Sequence, residues 1–330
     1  MKVVAILAVI LNHTAGIIFD NQLILLHTGF SVTLFILLAG ITSSVSISGR
    51  NEIDHKYLWY RLRAPITSYI IASFVYHVFV NSMRFDFITF INQLATFSAS
   101  PPFYFFAFYI QLVLCSTILY KVINFKNNCL YHIGILIVIY LISNYITAHT
   151  VIGNIMGGGG NLLGGTYLFV YSLGMMLHNY LPKLTGMRTN FLGLLLVILL
   201  LTIFEYKGLI HSIWSNPPND YLLVYTLLVF GLLFNLYQVV SKFKNLVILK
   251  WIGYVGSFSL YIFMYHKLFI DLSLRYNLLQ MVGVQNVYLT RIWILSCSLA
   301  MPVALGVLAK HYIKPTFNKI VFYSNDKHVQ

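Results

Sequence analysis

Charge is what this chain has least of. Only 9% of its 330 residues are Asp, Glu, Lys or Arg, while 59% are hydrophobic and the mean hydropathy is +0.80. Soluble domains carry about 25% charged residues, so a water-soluble protein is excluded. Once the apolar segments are set aside, no soluble domain is left over. Cysteine is scarce too: Cys115, Cys129 and Cys297 fall within apolar segments or beside a basic loop. They make no CxxC pair and no disulfide framework, and no metal site is expected. The GxSxG nucleophile elbow of serine hydrolases is missing. The glycine-rich stretch 153–165, GNIMGGGGNLLGG, has no Gly-Lys-Ser/Thr ending and is no P-loop. A hinge, or a bend over an acceptor cleft, fits it better. The first apolar run lacks a small-residue cleavage site followed by a polar mature chain, so no cleavable signal is expected.

Acidic residues are rarest of all. The eight are Asp20, Glu52, Asp54, Asp86, Glu205, Asp220, Asp271 and Asp326, and none falls in the middle of an apolar segment. Proton-coupled transporters usually run on buried carboxylate or histidine relays. The missing carboxylates count against a transporter and leave a histidine-only relay open.

Apolar segments of spanning length run at roughly 3–20, 29–47, 66–83, 103–120, 130–148, 165–181, 191–204, 221–240, 252–270 and 289–309. They predict an all-α, polytopic integral membrane helix bundle of about ten transmembrane helices. Its domain runs over 1–313, with a short cytoplasmic tail at 314–330. If the loops alternate sides, sixteen of the twenty-one Lys and Arg residues fall on the side of the termini and five on the other. The positive-inside rule then places both termini in the cytoplasm. The net charge of +13 is spread over these loops, which argues for topology and against nucleic acid.

The first segment reads KVVAILAVILNH, a cation followed eleven positions later by an imidazole. Eleven helical steps return to nearly the same face, so Lys2 and His13 share a stripe roughly 16 Å apart along the axis. From a membrane surface that puts His13 near the middle of a ~30 Å hydrocarbon core. An ionisable group there is a functional candidate, the plainer alternative being an anchoring lysine and a packing histidine. The most basic stretch, GRNEIDHKYLWYRLRAP, places Arg61 and Arg63 just ahead of Pro65, where the third helix is expected to start. It reads as a positive-inside anchor or as a phosphate clamp that Lys2 joins, since arginine forks bind phosphate oxygens bidentately. PPFYFFAFY (101–109) and WSNPPNDY (214–221) read as an interfacial aromatic belt, or less simply as sugar-stacking platforms. In GSFSLYIFMYH, Ser259 and His266 lie seven apart on one helix face. His266 and Asp271 are five apart and do not share one. His77, His132 and His178 read as packing or interfacial residues.

Taken in order, these motifs resemble the membrane-bound acyltransferase 3 family of bacterial O-acyltransferases that act on surface glycans. The family's first helix carries an arginine, ten residues and a histidine; here Lys2 and His13 stand in that register. FSVTLFILLAG has Ala39–Gly40 where the family typically has Ser-Gly. YLWYRLRAP is similar to its Lys/Arg-rich stretch ending in proline, one residue tighter. GSFSLYIFMYH is similar to Gly-x-x-Ser-Tyr-x-x-Tyr-Leu-x-His, with Ser259 and His266 in place. Helix four is aromatic but lacks the usual Trp-Phe. Lysine in place of arginine at position 2 keeps the charge and loses the fork. The chain also begins directly at this motif, without the family's short cytoplasmic lead-in.

The resemblance implies an acyl-CoA-dependent enzyme of the bacterial inner membrane, among membrane lipids. It would transfer an acyl group, acetyl being the expected one, from cytoplasmic acyl-CoA to a hydroxyl of a glycan or lipid-linked saccharide. Lys2, Arg61 and Arg63 would hold the CoA phosphates, and His13 would act as base or acyl carrier. Ser259 and His266 would orient the acceptor. The rivals are an exporter or flippase of polysaccharide or lipid-linked sugar, and a non-catalytic component of a glycan assembly complex.

Overall fold

The computed structural model describes residues 1–18, 22–50, 55–80, 84–149, 162–184, 191–209, 216–242, 247–276 and 286–310. Among these the regular structure is helical. Residues 153–161 of the glycine-rich stretch and the tail 314–330 lie outside them. The chain divides into two compact units, Met1–Leu246 and Val247 onward.

The first unit runs α1 (Lys2–Thr14), α2 (Gln22–Thr28), α3 (Phe30–Ser48), α4 (His55–Val80), α5 (Phe87–Thr96), α6 (Tyr104–Ile123), α7 (Cys129–His149), α8 (Tyr167–Leu184), α9 (Phe191–Tyr206) and α10 (Asp220–Val240). The second holds α11 (Val247–Ser257), α12 (Ser259–Tyr276) and α13 (Val287–Leu308). Among the described residues five elements are long and apolar enough to cross a membrane: α3, the stretch Pro101–Ile123 that includes α6, α7, α10 and α13. The apolar helices α1 and α9 are shorter. Isoleucines and leucines stand exposed along α7, among them Leu130, Ile137 and Leu141, and Ile292 and Leu308 do so on α13. Lipid, which is as apolar as they are, accounts for that exposure.

The most buried of the candidate spans is α3, and its partner is α8. Two glycines let their backbones approach. A Cβ on Gly40 would lie 2.1 Å from the Tyr171 carbonyl oxygen, and one on Gly174 would lie 2.2 Å from that of Leu37. Small residues at a helix crossing are how membrane helices gain van der Waals contact where no hydrophobic force drives them together. Gly40 is the glycine of the Ala39–Gly40 pair, so its place in the sequence reflects this crossing.

Three local differences from the sequence reading matter for the site. The first apolar segment does not continue to residue 20, because α1 stops at Thr14. Ala15 is extended (φ −63°, ψ 139°), and Ile17 and Ile18 turn their N–H groups back to the Thr14 carbonyl. The third helix begins ten residues before Pro65, at His55, so Arg61 and Arg63 are helical. Proline removes the N–H that would bond the Arg61 carbonyl, and the 26-residue helix carries through it. Last, the ninth segment is two helices meeting at Phe258. Gly306 of α13 lies beneath that joint, where an added Cβ would come within 2.5 Å of Phe258 and 3.1 Å of Tyr261.

The aromatic run 101–109 is core. Phe103, Phe105, Phe106 and Phe108 are buried. Tyr76 meets Phe103 edge-on at 5.2 Å and Tyr69 stacks on Phe106 at 5.7 Å. Starting a helix there turns successive rings in all directions, toward α4 and α8. No flat face is left for a sugar.

Candidate functional site

Arg61 lies in the second turn of α4 and points into the bundle. Its Nη2 donates to Ser43 Oγ of α3 at 2.7 Å. The same oxygen accepts from Tyr171 Oη of α8 at 2.6 Å. The Arg61 charge reaches Tyr109 of α6, with Tyr57 of α4 beside it, and it also reaches Lys2 at the start of α1. Five helices therefore converge on one guanidinium. The glycine crossing makes this possible, since Tyr171 and Ser43 can meet only where α3 and α8 are close.

The electrostatics are one-sided. Neither Lys2 nor Arg61 pairs with a carboxylate among the described residues. Arg61 Nε is buried with no hydrogen-bond partner among them. A cation out of water needs an opposite charge or a full set of acceptors. What surrounds this one is a hydroxyl acceptor, tyrosine rings and a second cation, an arrangement suited to an anion. Lys2, which precedes the apolar run, has its ammonium pulled below the ordinary lysine value by desolvation and then by the Arg61 charge.

Arg63 is elsewhere. Two positions along a helix is a turn of about 200°, and its guanidinium lies over the Tyr60 ring at 4.9 Å. Arg50 is likewise held over Tyr57 at 5.2 Å. The structure thus brings together Lys2 and Arg61, and it leaves Arg63 on another side of α4.

His13 sits in the last turn of α1, half-buried. At ~1.5 Å per residue it lies about 16 Å along the axis from Lys2. Because the helix ends one residue later, the imidazole stands at a helix C-terminus. Asn12 Nδ2 donates to Thr28 Oγ1 at 3.3 Å, tying the end of α1 to the end of α2.

Ser259 and His266 belong to the second unit, at the start and in the middle of α12. His266 is fully buried, and its Nδ1 hydrogen-bonds the Ile262 and Phe263 carbonyls at 3.0 and 2.9 Å. Asp271 pairs with Lys267, one turn before it. The His266–Asp271 spacing therefore does not mark a catalytic pair.

Two other histidines are tied into the frame. His77 bonds Gln93 Oε1 through Nδ1 at 2.9 Å, and its Nε2 accepts the Asp86 N–H at 3.1 Å, which joins α4 to α5. His132 Nδ1 lies 2.6 Å from Tyr180 Oη, joining α7 to α8.

A family model described as an acyltransferase domain matches residues 1–311, nearly the whole chain and both units. The chain belongs to the membrane-bound acyltransferase 3 family. It is therefore an acyltransferase and, with its several apolar helices, a multi-pass membrane protein. Neither a curated protein nor a solved structure matches it.

The Arg61 cluster contains residues that the sequence alone does not single out. Ser43, Tyr57, Tyr109 and Tyr171 come from four helices, and the Ser43–Tyr171 bond joins residues 128 apart. A serine in GITSS and tyrosines in an aromatic-rich chain carry no local signal. The small residues Gly40 and Gly174 are the one signal that could have marked the crossing.

Proposed function

We propose that this acyltransferase moves an acetyl group from cytoplasmic acetyl-CoA to a hydroxyl of a cell-surface or exported glycan. What carries this reading is the arrangement along α1. Two cations without a carboxylate partner among the described residues stand at its start, and an imidazole stands at its end about 16 Å away.

On this reading the bundle spans a bacterial inner membrane about ten times, with both termini in the cytoplasm. Lys2 and Arg61 face the cytoplasm and hold the CoA phosphates, Arg61 by its fork and Lys2 as a point charge. Tyr57, Tyr109 and Tyr171 wall the site. The pantetheine arm follows α1 and brings the thioester to His13. Irregular backbone at this depth, such as the break after Thr14, is tolerated only where it is buried in protein or lines a water-filled cavity.

The acceptor hydroxyl attacks the thioester carbonyl carbon while His13 takes its proton. The tetrahedral adduct then collapses, the C–S bond breaks, and the CoA thiolate leaves with the proton that His13 held. Ester and CoA thiol are the products, and His13 ends as it began. The carbonyl end of α1 stabilises the imidazolium between the two transfers.

The test compares wild type, a deletion and His13→Ala at matched membrane abundance, reading surface-glycan O-acylation by mass spectrometry and acetyl-CoA binding in nanodiscs. His13→Ala should lose the acyl mass as completely as the deletion and still bind acetyl-CoA. Full O-acylation with His13→Ala would sink the assignment.

A further inference from the structure

At the His13 end of the first unit lies a second polar cluster, on α2, α9 and α10. His27 Nδ1 is 2.9 Å from Tyr225 Oη. His27 is the residue before Thr28, which Asn12 holds, so His13 and His27 flank one hydrogen bond between two helix ends. The Tyr225 ring is buried, tilted against Phe30, and stacks nearly parallel on the half-buried Tyr221 at 6.0 Å. Tyr221 Oη donates to Glu205 Oε2 at 2.8 Å. The other carboxylate oxygen, Glu205 Oε1, is buried and accepts no hydrogen bond among the described residues. His27 itself is exposed.

A purely structural role leaves that oxygen unexplained. A carboxylate oxygen shielded from water without a donor costs free energy, and a protein that needed only to join α9 to α10 would use the Tyr221 bond alone. Among the described residues the chemistry present is a carboxylate with an unused lone pair, two phenols, an imidazole and stacked aromatic rings. A lone carboxylate cannot supply the second carboxyl group that glycoside hydrolysis requires. Hydroxyl groups suit the set: each donates to a carboxylate or imidazole and accepts from a phenol or an N–H. The half-buried Tyr221 ring is the one that can cover a C–H face of the same molecule.

We propose that Glu205, Tyr221, Tyr225 and His27 form the subsite that binds the acceptor saccharide by its hydroxyl groups, beside His13. This rests on the acyl-transfer reading for the identity of the acceptor, but the saccharide site stands or falls on binding. It places acceptor recognition in the first unit, where Ser259 and His266 do not lie.

The test uses the full chain in nanodiscs and, as probe, the cell's own surface polysaccharide stripped of esters by mild alkali. Binding is followed by saturation-transfer NMR, with acetyl-CoA binding measured in parallel. Glu205→Gln keeps the shape and removes the charge, and His27→Ala removes the imidazole. Hydrogen bonds to a charged group contribute about 1.5–3 kcal/mol, so Glu205→Gln should weaken polysaccharide binding about tenfold or more. His27→Ala should weaken it severalfold, and both should bind acetyl-CoA as wild type does. The acceptor KM should rise with kcat largely kept. Wild-type polysaccharide binding in either variant, no binding by the wild type, or loss of acetyl-CoA binding alongside it would each overturn the proposal. If the polysaccharide binds through these residues and no acyl group is transferred, the site stands and the acyl-transfer reading falls.

Discussion

Replacing Gly40 by alanine tests whether the α3–α8 crossing builds the Arg61 site. The new methyl carbon would lie 2.1 Å from the Tyr171 carbonyl oxygen and 3.0 Å from the Met175 nitrogen, both backbone atoms that cannot rotate aside. Restoring an ordinary separation of about 3.5 Å requires the helices to part by more than about 1 Å. Overpacking of this kind costs about 1–3 kcal/mol, and with backbone on both sides the upper end applies. For a chain of 330 residues that is a fall in Tm of roughly 4 °C. The same displacement pulls Tyr171 Oη away from Ser43, where the bond is 2.6 Å and Arg61 is anchored. Acetyl-CoA affinity should therefore fall together with stability. Gly134→Ala is the control: nothing lies within 4 Å of its added Cβ, on a lipid-facing helix. It should leave stability unchanged or raise it by up to about 1 kcal/mol. Both are read by thermal unfolding and ligand binding in nanodiscs. A Gly40→Ala protein with wild-type Tm and donor affinity would refute the packing argument.

The Lys2 ammonium lies below the ordinary lysine value through desolvation and the Arg61 charge. It therefore loses its proton earlier than a free lysine as pH rises. Acetyl-CoA affinity, measured from about pH 7 to about pH 10, should fall over that rise, while the ligand-free protein gains stability as the repulsion is relieved. Lys2→Arg should flatten the affinity profile, and a flat profile in the native chain would remove Lys2 from the donor site. His77 is bonded at both ring nitrogens inside the frame. His77→Phe should cost about 1–3 kcal/mol by stranding Gln93 and the Asp86 N–H. Activity per folded molecule should be kept, as checked by unfolding and by specific activity. A large drop in activity per folded molecule would give His77 a role in the chemistry.

Much of the architecture was legible before any coordinates. The scarcity of charge and the apolar runs fix a membrane-embedded helical chain, because lipid offers unpaired backbone groups no partner. The Lys2–His13 spacing puts a cation and an imidazole on one stripe whatever the helices pack against. The family register placed Gly40, and the crossing with Gly174 explains why no larger residue fits there.

Tertiary structure decided the rest. That α1 ends at Thr14 depends on α2 returning to hold Asn12, a contact sixteen residues away. Arg61 and Arg63 are equivalent as text, yet one points to Ser43 and the other lies over Tyr60. Helix phase and the neighbouring helices separate them. The partners of Arg61, and the Glu205–Tyr221 and His27–Tyr225 pairs, join different helices. Their sequence separations reach 128 and 198 residues, across which no local pattern repeats. The sequence by itself determined an all-helical, membrane-embedded chain and that its scarce charges lie outside the middle of the apolar runs. Which charges face each other was left to the packing of α3 on α8, because hydrogen bonds join neighbours in space.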